Sequence, residues 1–212
     1  MSRYWSRIAQ KCGPYTPGEQ PRRQNFIKLN TNENPYPPSE AVIKAIHKAL
    51  DELRLYPDPE SLDLRQAIAG YYGLHEDQVF VGNGSDEVLA FAFQAFFDPD
   101  KPVLFPEITY TFYPVYARLY GLSYQTVQQD ENLAIPVESF CTGTAGGIVI
   151  ANPNAPTGLL LPLDSVERII AGNPQCVVII DEAYVDFGGA SAVSLIAKYP
   201  NLLVVQTFSK SR

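Results

Sequence analysis

The sequence predicts an α/β fold: a three-layer arrangement in which helices cover both faces of a mostly parallel sheet. Two observations carry this. From residue 78 onward, short β-rich runs alternate with stretches of helical length, the order that parallel strands joined by crossover helices require. The runs GIVIA (147–151) and CVVII (176–180) are also apolar throughout, as strands buried on both faces are. With 212 residues, 46% of them hydrophobic, the chain has material for one large core.

Residues 1–38 are rich in proline and polar side chains and read as an extended N-terminal arm. Residues 39–212 read as one large domain. A first helix is expected from Ser39, its N-cap, because Val42, Ile43, Ile46, Ala49, Leu50 and Leu53 recur at helical spacing. LYPDPE (55–60) breaks it. A second helix over SLDLRQAIAGYYG (61–73) ends at Gly73, a C′ residue free to take positive φ. QVFVG (78–82) reads as a strand. SDEVLAFAFQAFF (85–97) reads as an apolar helix capped by Ser85, and PVLF (102–105) as a strand. TYTFYPVYARLYG (109–121) is expected to be helical up to Gly121, with Pro114 early enough to be tolerated. Strands at 122–128 and 147–152, a helix at 164–172, and strands at 176–181 and 201–205 complete the pattern.

Bulk properties exclude several functions. The formal charge is −7 and no lysine/arginine cluster occurs, which argues against nucleic acid or an anionic membrane as partner. Cys12, Cys141 and Cys176 are far apart, and His47 and His75 form no ligand pair, so no metal site is expected. An odd, unpatterned set of cysteines fits reduced thiols. The first twenty residues hold no apolar signal core and no 18-residue apolar stretch occurs, so a cytoplasmic location is expected.

In such sheets ligands gather at the carboxyl ends of the strands, and four strand ends here carry notable chemistry. GNGSDE (82–87) runs from a glycine turn into a helix. It is either an anion cradle of free N–H groups or simply a capped helix. Asp181 tips an apolar strand, where a carboxylate needs a partner, a cationic ring nitrogen or a backbone cap. NPNAPTG (152–158) is a rigid loop presenting amides, or only a turn. Lys210 follows the last strand, as an amine nucleophile near buried surroundings or as a solvated loop lysine. Taken together, an anion site, an amine, a carboxylate and an amide loop are the groups that pyridoxal 5′-phosphate needs.

In order and spacing, LNTNENP, YPDP, GNGSDE, TYTFY, NPNAPTG, DEAYVDF and TFSKS resemble the fold-type I, class-II pyridoxal-phosphate-dependent aminotransferases, within them the histidinol-phosphate branch. The resemblance runs from about residue 28 to the last residue. It implies a homodimer and these roles. Lys210 would condense with the cofactor aldehyde and later move the substrate's proton. Asp181 would pair with the ring nitrogen, Tyr184 donate to the phenolic oxygen, and Tyr110 stack on the ring. Gly84, Ser85, Asp86 and Ser209 would meet the phosphate, and Tyr56 would reach the phosphate in the neighbouring subunit. Asn34 would lie near the substrate. Tyr113, Tyr116 and Tyr120 are read as packing, and Glu182 as structural.

One position departs from the family: Ala155 stands where an asparagine commonly precedes PTG, so Asn154 is expected to supply that amide. Family members also continue well past the lysine, through a phosphate-binding arginine and the rest of the large domain, into a C-terminal small domain that supplies the substrate-gripping arginine. Arg212 is too close to Lys210 to be taken for that arginine. The expectation is therefore an N-terminal portion, its small domain absent and inactive alone. The implied reaction passes the amino group of L-histidinol phosphate to 2-oxoglutarate. The alternatives are an aromatic aminotransferase, a threonine-phosphate decarboxylase, or a non-catalytic remnant that binds pyridoxal phosphate or dimerises.

Overall fold

The computed structural model describes residues 3–11, 18–19 and 27–211. Cys12, Arg212 and much of the arm lie outside the described residues. Within the arm, Arg7–Lys11 forms a short helix, α1, and residues 27–38 form neither helix nor strand.

Helix α2 spans Glu40–Ala49, and the Ser39 hydroxyl accepts from the Val42 N–H (3.4 Å), as its capping role requires. A 3₁₀ turn, Leu50–Glu52, continues it. The apolar stripe of α2 is not covered: Val42, Ile43, Ile46 and Leu50 are all exposed. Helix α3, Leu62–Tyr72, closes on Gly73 at φ +68, the left-handed cap its glycine allows. Its start is held by Asp58, whose carboxylate accepts from Leu62 N–H (2.7 Å) and Glu60 N–H (3.1 Å), bonds that lower the acid's pKa.

Residues 79–82, expected to be a strand, are not one. A β run becomes a strand only when it finds a neighbour, and a groove of about 250 Å³ lined by Phe80, Val81, Val204, Gln206 and Phe208 separates this run from the nearest sheet edge. Helix α4 (Ser85–Phe96) follows. Ser85 is its first residue rather than its cap; Gly84 holds the cap position at φ +84, where a side chain would be strained.

Strand β1 (Val103–Pro106) leads to helix α5 (Tyr113–Tyr120) and strand β2 (Tyr124–Val127). The helix starts at Tyr113, not at Thr109, because Pro114 lies in its first turn, the helix position where proline is tolerated. Strand β3 (Gly147–Ala151), helix α6 (Leu163–Ala171), strand β4 (Val178–Asp181) and strand β5 (Leu202–Val205) complete the layers. The strands form one five-stranded sheet, all parallel, in the order β2-β1-β3-β4-β5.

Alternation along the strands builds two cores. Val103, Phe105, Val149, Ile179 and Val205 face α4 and α5, packing on Leu89, Phe93, Tyr113 and Tyr116. Leu104, Ile148, Ile150, Val178, Ile180 and Leu202 face α6, packing on Val166, Ile169 and Ile170. This is the expected three-layer α/β arrangement. Among the described residues no helix is long and apolar enough to cross a membrane, and no cluster of metal-ligating side chains occurs.

Candidate active site

From β1 the chain moves to β2 on one side and then crosses back to β3 on the other side of β1, so the loops after β1 and β3 part at this point of the sheet. A cavity of about 240 Å³ lies there, at the carboxyl ends of β3, β4 and β5. Gly84, Ser85, Asp86, Tyr110, Ala155, Asp181, Tyr184, Ser209 and Lys210 line it. Its volume is at the small end of ligand cavities.

Asp181 ends β4 with the same parity as Ile179, so its side chain falls on the α4/α5 face of the sheet. It is only 6% exposed. Its Oδ2 accepts from the Tyr113 hydroxyl at 2.7 Å and its Oδ1 from the Ala183 N–H at 3.2 Å. Burial pushes its pKa up to about 6, with Asp86 and Glu182 adding to the rise; the Tyr113 and Ala183 bonds oppose it. The next residue, Glu182, takes the other face. Its carboxylate accepts from Ser191 Oγ (2.6 Å), Ala192 N–H (2.7 Å) and Gln206 Nε2 (2.8 Å), a structural clamp.

Helix α4 points its N-terminus at the cavity. Its first intrahelical bond runs from Val88 N–H to Gly84 O (3.3 Å), so the N–H groups of Ser85 and Asp86 have no intrahelical acceptor. The turn before it is held by Glu87, whose carboxylate accepts from Asn83 N–H (2.6 Å). The side chain of Asp86 is occupied: its Oδ1 accepts from the hydroxyls of Tyr110 (2.8 Å) and Tyr116 (3.1 Å). An anion at this point would meet N–H groups rather than that carboxylate.

Lys210 is half-buried. Its Nζ donates to the Thr31 carbonyl (3.4 Å) and stands 5.7 Å from the centroid of the Tyr184 ring. The Tyr184 hydroxyl accepts from Asn32 Nδ2 (2.9 Å). The arm thus crosses the cavity mouth through Thr31 and Asn32, both at positive φ (+64 and +52). Ser209 follows Thr207 in a tight turn, its N–H donating to Thr207 Oγ1 (3.2 Å).

Three expected site residues do not line this cavity, and of them Tyr56 is expected at the phosphate of the neighbouring subunit. Asn154 is buried and its amide is fully engaged: Oδ1 accepts from Thr109 Oγ1 (2.8 Å), while Nδ2 donates to Ile108 O (2.9 Å) and Thr157 Oγ1 (3.0 Å). It ties the loop to the segment preceding Tyr110, and Ala155 faces the cavity instead. The one-residue offset sends the amide away, so Asn154 does not supply the amide expected of it. Tyr56 is fully exposed, and Asn34 is on the exposed arm, its Oδ1 accepting from Tyr36 N–H (3.0 Å).

Tyr113 and Tyr116 do more than pack, since each hydroxyl meets a carboxylate of the cavity. The sequence offered a signal for this: an i, i+3 pair of tyrosines is wasteful for a core that needs no hydroxyls, because a buried hydroxyl demands a partner. Asn32, in LNTNENP, went unassigned because nothing local marks which of its polar residues turns inward.

Comparison with known proteins shows the family and the fold. The family described as aminotransferase class I and II matches residues 24–212. Histidinol-phosphate aminotransferase 1 of Hydrogenovibrio crunogenus is 57% identical over all of this chain and 60% of its own length. Histidinol-phosphate aminotransferase of Aromatoleum aromaticum is 56% identical over all of this chain and 61% of its own. The chain thus spans about 60% of the length of the curated relatives it matches. Among solved structures, histidinol-phosphate aminotransferase from Sinorhizobium meliloti in complex with pyridoxal-5′-phosphate superposes with a TM-score of 0.77 at 26% identity. That match covers 85% of this chain and 51% of the other. The chain belongs to the class I and II aminotransferases.

Proposed function

We propose that these residues serve a pyridoxal-5′-phosphate-dependent aminotransferase that passes the amino group of L-histidinol phosphate to 2-oxoglutarate, in histidine biosynthesis in the cytoplasm. One observation carries the reading: an amine, Lys210, and a buried carboxylate, Asp181, line the same small cavity at the strand ends. The substrate follows the names of the relatives at 57% and 56% identity.

The residues fit the cofactor. Asp181 is a buried acid with no cation within ion-pair distance among the described residues, and its raised pKa marks a carboxylate that a cationic ring nitrogen would relieve. The α4 N-terminus offers N–H groups and a favourable dipole to a phosphate, and Gly84 leaves open space where a Cβ would sit. Bound there, pyridoxal phosphate supplies an aldehyde that accepts an amino group and a protonated ring that takes up the electrons of a breaking Cα–H bond.

The chain's own residues then have distinct tasks. Lys210 would hold the aldehyde carbon, and its amine would move the proton at the substrate Cα. Asp181 keeps the ring nitrogen protonated. Tyr184, oriented by Asn32, has its hydroxyl proton free to donate to the phenolic oxygen. Tyr110, fixed through Asp86, covers one ring face. Ser85, Asp86 and Ser209 hold the phosphate. Asn34 contacts substrate, and Tyr56 reaches the phosphate site of a second copy, making the active unit a homodimer.

The test is to load the full chain with pyridoxal phosphate, reduce with borohydride and map peptides by mass. The expected result is cofactor mass on the Lys210 peptide, and none on any peptide of Lys210→Ala. Cofactor on a different lysine, or none, would refute the proposal.

A further inference from the structure

Tyr113 is an apolar-core residue by position and a polar one by contact. Its ring is fully buried, 5.8 Å from Phe105 and 5.6 Å from Tyr110 between centroids. Its hydroxyl emerges from that core at a single point, 2.7 Å from Asp181 Oδ2. The alignment is not incidental to packing. Tyr113 is the first residue of α5, so the start of that helix fixes its height above the sheet, and β4 fixes the height of Asp181.

Resting on the function proposed above, we propose that Tyr113 is a positioning residue for Asp181. Its hydroxyl fixes the carboxylate's orientation toward the cavity and favours the ionised form, so that a pyridine nitrogen bound there stays protonated. Two donors share the work, the Tyr113 hydroxyl on Oδ2 and the Ala183 N–H on Oδ1. Each oxygen keeps a lone pair for a further donor.

The surroundings leave this duty to Tyr113. Asp86, at the start of α4, is acidic and disfavours ionisation of Asp181; Glu182 does the same from the next position in the chain, with its own carboxylate turned to Ser191, Ala192 and Gln206. Lys210, Tyr184 and Tyr110 line the same cavity, but the side-chain hydrogen bond to Asp181 is that of Tyr113. Burial of Tyr113, with Asp181 beside it, pushes its own pKa up, so the phenol stays a donor across the working pH range.

Tyr113→Phe removes the hydroxyl and keeps the ring. In the cofactor-free full chain, carboxyl NMR should show Asp181 titrating at higher pH in the variant. In the loaded protein, the signal of a nitrogen-labelled cofactor ring should move toward the neutral pyridine position, and affinity for the cofactor should fall on the order of tenfold. Because the role runs through Asp181, the same change in an Asp181→Asn background should have little further effect on that signal or on affinity. Unchanged Asp181 titration and ring signal, or an equal loss of affinity in both backgrounds, would overturn the inference and leave Tyr113 as packing. A wild-type chain that takes no cofactor onto Lys210 would remove the functional reading and this inference with it; the cofactor-free titration separates that failure from a failure of the Tyr113–Asp181 link.

Discussion

Replacing Asp181 by asparagine should make the cofactor-free chain more stable at neutral pH. The carboxyl is 6% exposed and its pKa is raised from 3.8 to about 6 by burial. A raised pKa means that the folded state binds the proton more tightly than the unfolded one. Stability from this group is therefore fully present below about pH 3.8 and is lost as pH rises to about 6. Two units at about 1.36 kcal/mol each put the loss near 3 kcal/mol. Asparagine has no proton to lose. Its carbonyl can accept from the Tyr113 hydroxyl, while its NH₂ faces the Ala183 N–H, an offset of about 1 kcal/mol. The variant should gain about 2 kcal/mol at pH 7, and the difference between variant and wild type should grow by about 3 kcal/mol between about pH 3 and 7, about 2 kcal/mol of it between pH 4 and 6. Urea unfolding of both chains across that range measures it. The growth with pH is the decisive quantity, because the hydrogen-bond offset cancels from it. A difference flat in pH would refute the claim that burial without a cationic partner raises the Asp181 pKa. On the function proposed above, saturating pyridoxal phosphate should shrink the variant's advantage, since a ring nitrogen paired with Asp181 would relieve the same carboxylate.

Two further substitutions probe the frame around the cavity. Asn154→Asp loses both donations, to Ile108 O and Thr157 Oγ1, and sets a carboxylate against a carbonyl; a loss of about 2–4 kcal/mol is expected in chemical unfolding, against no loss if the side chain were a free cavity ligand. Gly147→Ala puts a Cβ 2.1 Å from a ring carbon of Phe97; a drop of about 1–3 kcal/mol in a thermal melt follows, since β3 is buried on both faces and cannot move aside.

Much of this was legible because strand and helix periods are simple. A run such as CVVII announces a buried strand, and Gly73 and Gly121 announce left-handed helix ends, at φ +68 and +70. What could not be read depended on partners distant in sequence. Residues 79–82 have strand composition, but composition does not supply a neighbouring edge. Ser85 has the chemistry of a cap, but Gly84 reaches positive φ more cheaply and takes the position, leaving Ser85 inside the helix. Asn154 and Ala155 differ by one place, and only the folded loop decides which faces the cavity. The tyrosines of α5 were the hardest to read, because a buried ring and a buried donor look identical in a sequence.

The pair Asp181–Glu182 makes the physical logic concrete. Two adjacent acids at the end of a buried strand would be untenable side by side on one face. Alternation separates them: one face of the sheet carries Asp181 to the cavity and Tyr113, and the other carries Glu182 to Ser191, Ala192 and Gln206. Glu182 is saturated with donors and behaves as part of the scaffold. Asp181 has two donors and a raised pKa, so it is the member of the pair with binding energy in reserve. That asymmetry follows from strand parity together with the reach of Tyr113, and it singles out Asp181 as the acid facing the cavity without reference to any relative. A one-residue slip of β4 would exchange the two fates, placing the saturated clamp's glutamate under the cavity and a short aspartate out of reach of Ser191. The register of β4 against β3, with Asp181 beside Ala151, is therefore as much a determinant of the site as the identity of the acid itself.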